Sequence, residues 1–153
     1  MTPKFHSLTV AEVRQETEDT VSILFEIPDD LKQDYAYKSG QYLTMKFIVD
    51  GEEIRRSYSL SSAPFEGEWR VAVKQVADGK FSTFANHSLK VGDQLDVMTP
   101  TGHFKLETNV TNEKSYVFFA AGSGVTPIIS MIKTVLTEEP KSDVTFFYGN
   151  KSF

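Results

Sequence analysis

Along the first two-thirds of the chain, apolar and polar positions alternate with the period of two that marks half-buried strands. Val21, Ile23, Phe25 and Ile27 alternate with Ser22, Leu24 and Glu26 and stop at Pro28-Asp29-Asp30. Leu43, Met45, Phe47 and Val49 run into Asp50-Gly51, a strong hairpin signal, and Arg55 to Leu60 returns from it. Trp69 to Val76 forms a further strand closed by Asp78-Gly79, and Leu95 to Met98 a short one ending near Pro100 and Gly102. Short strands at this spacing predict a barrel or sandwich. One helix interrupts them, with Ser82 as its expected N-cap and Phe84, Ala85 and Leu89 as a sparse apolar face.

After Asn112-Glu113-Lys114 the pattern changes. Ser115 to Ala121 is a mostly apolar run, as expected of a strand buried on both faces, with Phe118 and Phe119 in the core. Gly122-Ser123-Gly124 follows, and Thr126-Pro127 opens a helix carrying Ile128, Ile129, Ile132, Val135 and Leu136 at helical spacing. Glu138-Glu139-Pro140 stops it, and Val144 to Tyr148 reads as a second buried-type strand. This is β-α-β, the opening of a parallel nucleotide-binding sheet that usually needs about five or six strands. The expected organisation is therefore a barrel domain over residues 1–111 and an incomplete α/β domain over 112–153.

Composition narrows the function. The 153 residues are 40% hydrophobic with twelve Phe, enough for a real core, and the formal net charge is −5 without a basic run. A nucleic-acid or anionic-membrane surface is not expected, because a basic stripe supplies most of that affinity. The absence of Cys excludes disulfides, cysteine-based zinc or iron–sulfur sites and a Cys nucleophile within this chain. His6, His87 and His103 are scattered, so no metal site is expected. Glu16, Glu18 and Asp19 read as a solvated turn. No membrane-spanning stretch or apolar leader is visible, and a soluble cytoplasmic protein is the expectation.

Three segments carry chemistry. In Arg55-Arg56-Ser57-Tyr58-Ser59-Leu60, an anion fork, an aromatic plane and small hydroxyls alternate along one strand, with Arg56 and Tyr58 sharing a face and Ser57 and Ser59 on the other or at the rim. Taken alone, this is equally a polar strand. Gly79-Lys80-Phe81-Ser82 leads into a helix start, whose N–H groups suit a phosphate or simply form a turn. Gly122-Ser123-Gly124-Val125-Thr126-Pro127 sits between a buried strand and a helix, without the third Gly of the dinucleotide fingerprint.

In this order the segments resemble the ferredoxin–NADP reductase superfamily, and within it the reductase component of a multicomponent oxygenase of the phenylacetate type. The resemblance implies a flavin-binding antiparallel β-barrel of Greek-key type followed by the start of an α/β nucleotide-binding domain. The family's Arg-x-Tyr-Ser strand is matched by Arg56, Tyr58 and Ser59. That implies Arg56 on flavin phosphate, Tyr58 against the isoalloxazine and Ser59 near its N5, with Ser57 between them. The valine–lysine strand is matched by Val73-Lys74-Gln75-Val76, whose backbone would line the ribityl or pyrophosphate region. The Gly-x-x-Ser turn is matched by Gly79 and Ser82, with Lys80 and Phe81 between, implying FAD over FMN. Thr99-Pro100-Thr101-Gly102-His103-Phe104 is similar to the barrel closure, with Thr99 in place of a Gly. Gly122, Gly124, Thr126 and Pro127 are similar to the nicotinamide-nucleotide loop.

The implied chemistry is mainly the cofactor's. NAD(P)H would reduce FAD at a centre set by Tyr58, Ser59 and Thr126, and single electrons would pass to an iron–sulfur or oxygenase partner. Two other readings stay open: a flavin-binding module without nicotinamide activity, and a cofactor-free interaction barrel. Because the nucleotide sheet is only begun, slow reduction and self-association, or disorder, through its uncovered face are also expected.

Overall fold

The computed structural model describes residues 3–49 and 51–150; Asp50, half of the expected hairpin turn, lies outside them. Ten regular elements follow in order. β1 (Phe5–Thr17), β2 (Thr20–Glu26), β3 (Tyr42–Val49), β4 (Glu52–Ser59) and β5 (Trp69–Lys74) precede α1 (Lys80–His87) and β6 (Gln94–Met98). β7 (Ser115–Ala121), α2 (Val125–Glu138) and β8 (Asp143–Gly149) complete the chain.

The first six strands form one antiparallel sheet in the order β4-β3-β6-β1-β2-β5. β6 returns between β3 and β1, which is the Greek-key crossing. A bridge between Leu60 and Val71 joins the β4 side to β5, the two ends of the sheet, and so curls it into a barrel. Inside lie Leu8, Val10, Val21, Ile23, Phe25, Leu43, Met45, Val71, Val73 and Val97, all nearly or wholly buried. Alternation works here because each strand has one dry face and one wet face. Tyr35 is also fully buried; its hydroxyl donates to the Val97 carbonyl at 2.6 Å, and burial pushes its pKa upward.

β1 was not anticipated. Its pairing with β2 shifts register between Val10 and Glu12 and again between Gln15 and Thr17. Each extra residue moves the next side chains to the opposite face, so Leu8 and Val10 are followed inward by Val13 and no clean alternation survives.

Two helix starts differ from expectation. Ser82 is not the N-cap of α1. Gly79 is, without a side-chain capping bond, and Ser82 lies inside the first turn. Its hydroxyl donates to the Gly79 carbonyl and accepts the Val76 N–H, both at 3.2 Å. That packing needs a glycine, since a Cβ on Gly79 would lie 2.2 Å from Ser82 Oγ. The second helix begins at Val125, one residue early, after a 3₁₀ turn over Gly122–Gly124. Pro127 sits in the first turn, where a missing N–H is tolerated.

β7 and β8 pair in parallel, with α2 packed on one face. The expectation of strands buried on both faces is corrected. Phe119 is 71% exposed and Phe147 54%, their rings stacked 5.0 Å apart beside exposed Val117. Phe118, on the helix-facing side, is half-buried. The apolar run fixed the strand but not which of its faces is covered.

α2 also rests on the barrel. Ser130 Oγ donates to the Ser62 carbonyl at 2.6 Å, and Lys133 pairs with Glu66 at 3.0 Å. At the same seam Gly40 adopts φ +98°, and a Cβ there would meet the Phe104 carbonyl oxygen at 2.1 Å and Met131 Cε at 2.3 Å. No side chain fits between the barrel closure and the helix.

Candidate functional site

Between the barrel and the N-terminus of α2 lies a cavity of about 470 Å³. Ser57, Tyr58 and Ser59 of β4 form one wall, and Ala72 and Lys74 of β5 with Val76 form the floor. Ser123, Gly124, Thr126 and Pro127 form the opposite wall. Ser57 Oγ is hydrogen-bonded to Thr44 Oγ1 at 2.8 Å, while Tyr58 turns its ring to Phe81, 5.6 Å away. Tyr58 is half-buried, and burial raises its pKa against the opposing charge of Arg56. The phenol therefore stays protonated at neutral pH. Thr126 Oγ1 donates to the Ser123 carbonyl at 3.2 Å, which fixes the loop and leaves its methyl and the Pro127 ring as apolar surface. Lys74 projects from the floor toward Asp19 at 3.3 Å.

The expected residues thus divide. Ser57, Tyr58, Ser59, Lys74, Gly124, Thr126 and Pro127 come together around the cavity. Gly122 (φ +52°) lines an adjoining hollow with Lys74 and Thr126. Arg56 is exposed to one side, and its guanidinium donates to the Arg55 carbonyl at 2.7 Å. Val73 is buried, and its carbonyl accepts from the Asn86 side chain at 3.1 Å. Only its neighbours Ala72 and Lys74 line the cleft. Phe81 is a core residue and Ser82 a turn staple, so at Gly79-Lys80-Phe81-Ser82 the backbone and Lys80 are what the surface offers.

Val76, at the end of the expected Val73-Lys74-Gln75-Val76 lining, does line the cleft, whereas sequence reasoning missed Ala72 and Ser123 as site residues. Ala72 had one available signal: it is the small residue between Val71 and Val73 on the outward face of β5, which leaves room above it. Also missed was Arg70, buried on the outer barrel face. It donates to Ser22 Oγ at 3.1 Å and Glu68 at 3.2 Å and pairs with Glu12. Arg70, Ser22 and Glu68 line a second hollow of about 440 Å³ that shares Ala72 and Thr126 with the first.

The residues fit a flavin with phosphates. A flat half-buried ring and the hydroxyl residues Ser57, Ser59, Ser123 and Thr126 face the cavity. The first turn of α1 has neither an acidic residue nor a side-chain cap, so its N–H groups remain available to an anion. The comparisons with known proteins agree. The oxidoreductase FAD-binding domain family matches residues 7–106, nearly two-thirds of the chain. The chain belongs to this family. The oxidoreductase NAD-binding domain family matches residues 118–153. One component of the 1,2-phenylacetyl-CoA epoxidase of Escherichia coli is 45% identical over 148 residues, 97% of this chain and 42% of the relative. The ferredoxin reductase component of 3-ketosteroid-9-alpha-monooxygenase from Rhodococcus rhodochrous is 38% identical, over 94% of this chain and 40% of the relative. The chain thus spans about two-fifths of the length of these relatives. Among solved structures, the flavohem-like FAD/NAD-binding domain of nitric oxide dioxygenase from Vibrio cholerae is 28% identical, with a TM-score of 0.77, over 95% of this chain and 62% of that one. The resemblance read from the three segments is borne out, and so is the fold of an antiparallel barrel followed by the start of a nucleotide-binding sheet.

Proposed function

We propose that this chain is the flavin-bearing part of an NAD(P)H-dependent reductase that passes single electrons to an iron–sulfur or oxygenase partner. The observation that carries the reading is the cleft, in which Tyr58 and Ser59 of the barrel face Gly124, Thr126 and Pro127 of the nucleotide unit. Bound FAD would supply the redox chemistry. The chain's residues position it: Tyr58 offers a stacking plane, Ser57 and Ser59 small hydrogen-bonding groups, and Arg56 and the α1 N-terminus offset phosphate charge. The loop from Gly122 to Pro127, at the start of α2, would present backbone to a nicotinamide nucleotide. Thr126 and Pro127 form the wall of the cleft that faces Tyr58. No side-chain nucleophile or strong base is required.

The names of the two relatives, one an epoxidase component and the other a ferredoxin reductase component of a monooxygenase, support an oxygenase-type acceptor. A domain boundary at 111/112 is supported by its position between the two family matches. Among the described residues no helix is long and apolar enough to cross a membrane. A cytoplasmic setting is part of the proposal, because NAD(P)H is an intracellular reductant.

An absorbance scan after adding FAD, followed by anaerobic mixing with NADH or NADPH, tests the function. Flavin bands retained through gel filtration and bleached by either nucleotide are the expected result. A holoprotein that stays oxidised would favour a flavin-binding module, and a chain that retains no flavin would leave only an interaction barrel.

A further inference from the structure

Ser57, Ser59 and Ser123 line the cleft, and among the described residues Ser57 is the one of them whose hydroxyl another side chain holds. Its partner is Thr44 of β3, with 2.8 Å between the two oxygens. Thr44 and Ser57 stand directly opposite each other on β3 and β4, so both side chains leave the sheet on the same side. Their surroundings differ: Ser57 is exposed, whereas Thr44 is 8% exposed and does not line the cleft itself. A hydroxyl has one proton to give and two lone pairs to receive. Burying a donor without an acceptor costs free energy, so the proton of a buried hydroxyl turns to the acceptor within reach. For Thr44 that acceptor is Ser57 Oγ, the one hydrogen-bond partner of its side chain among the described residues. The reverse order would leave the Thr44 proton with no acceptor, while exposed Ser57 has the open cleft for its own.

We infer that Thr44 is a positioning residue: it donates to Ser57 and thereby sets Ser57 as a hydrogen-bond donor into the cleft. The flavin atom that meets Ser57 is then an acceptor, a carbonyl oxygen or unprotonated nitrogen of the ring system or an oxygen of the attached chain. Hydrogen bonds that run in one direction polarise one another, so the Thr44 hydroxyl makes the Ser57 proton a stronger donor. Ser59 and Ser123, with no such partner behind them, stay free to donate or accept. The inference rests on the flavin reading above. It adds the polarity of one contact and a residue outside the cleft that fixes it.

The test is a double-mutant cycle on the purified full chain, freed of flavin and titrated with FAD by flavin fluorescence. Ser57→Ala should weaken FAD about fivefold, and Thr44→Val, which keeps the shape and loses the donor, about threefold. Thr44→Ser restores the hydroxyl and should stay within about twofold of the parent. In the Ser57→Ala background Thr44→Val should have no further effect, because the group it orients is gone. Thr44→Ala repeats the loss of the donor without the bulk of Val, so a packing fault in one variant does not decide the result. A loss from Thr44→Val that persists undiminished in the Ser57→Ala background would mean a structural role and overturn the inference. Parent-like affinity in both Thr44→Val and Thr44→Ala, or a Thr44→Ser chain as weak as they are, would overturn it too. Each of these leaves the flavin reading intact, whereas a parent chain that takes up no FAD removes both.

Discussion

The barrel and the β7–β8 unit place their aromatic side chains in opposite ways. In the barrel, Phe25 and Phe81 are 2% and 1% exposed, enclosed by strands whose two edges meet at Leu60 and Val71. In the parallel pair, Phe119 and Phe147 stack on each other in solvent, while α2 covers only the opposite face. The barrel's stability is internal to its own strands. The α/β unit draws its order from α2, which is fastened both to β7–β8 and to the barrel at Ser62 and Glu66. The cleft lies along the boundary, so its geometry depends on the less enclosed partner being held firmly by the more enclosed one.

The sharpest way to test this contrast is to hollow each side. Phe25→Ala should cost about 4 kcal/mol in urea unfolding, from lost burial plus the cavity left behind. A cost below about 1 kcal/mol would mean that the barrel core is not the main source of stability. Gly40→Ala attacks the seam itself. The positive φ and the overlaps with Phe104 and Met131 should cost about 3 kcal/mol, or displace α2 visibly in amide exchange.

A third test separates the units by pH. Glu139 follows α2 and is wholly buried. Burial works to raise its pKa, but donors outweigh it: the Asn112 amide at 2.6 Å, the Asn109 N–H at 3.0 Å, and the hydroxyls of Ser142 at 2.8 Å and Tyr116 at 3.0 Å. Its carboxyl is held at about 2. A depressed folded pKa stabilises fully above the unfolded value near about 4.3, and the benefit fades as pH falls from there toward about 2. Glu139→Gln should therefore lower the melting temperature at pH 7 and flatten the loss on acidification between about pH 4 and 2. Equal acid slopes for parent and variant, followed by circular dichroism, would count against this role.

The smallest effect on stability should come from the open aromatic face. Phe119→Ser removes surface that is already wet, so unfolding should change by less than about 0.5 kcal/mol. If copies associate through this face, as the sequence pattern led us to expect, the sedimentation coefficient of the parent should rise with concentration and that of the variant should not. Concentration-independent sedimentation of the parent would remove that expectation.

Legibility in the sequence followed the same division. Strands β2 to β6 announce themselves because one face is dry and the other wet. β1 was hidden by two register shifts that scramble its period. Ser82 has the chemistry of a cap and sits near a helix start, yet Gly79 takes the cap position and the helix begins before the serine is reached. The β7–β8 runs are apolar on both faces, and composition alone does not say which face finds a cover. In the site, Tyr58, Ser59 and Thr126 were legible because their side chains carry chemistry in a known order. Ala72 offered only its small size as a signal, because its contribution is space. Glu139 looked like a helix stop, since its donors come from separated stretches that meet only in the folded chain.

The closure of the barrel has a consequence for how the molecule is made. All pairings of the six-stranded sheet, and the Tyr42–Thr101 bridge beside it, involve residues up to 101. Synthesis runs from the N-terminus, so the barrel can finish before any of β7, α2 or β8 leaves the ribosome. α2 then emerges onto a surface that already presents Ser62, Glu66 and the hollow at Gly40. The later unit is moulded on the earlier one, and the order of translation sets the order of assembly.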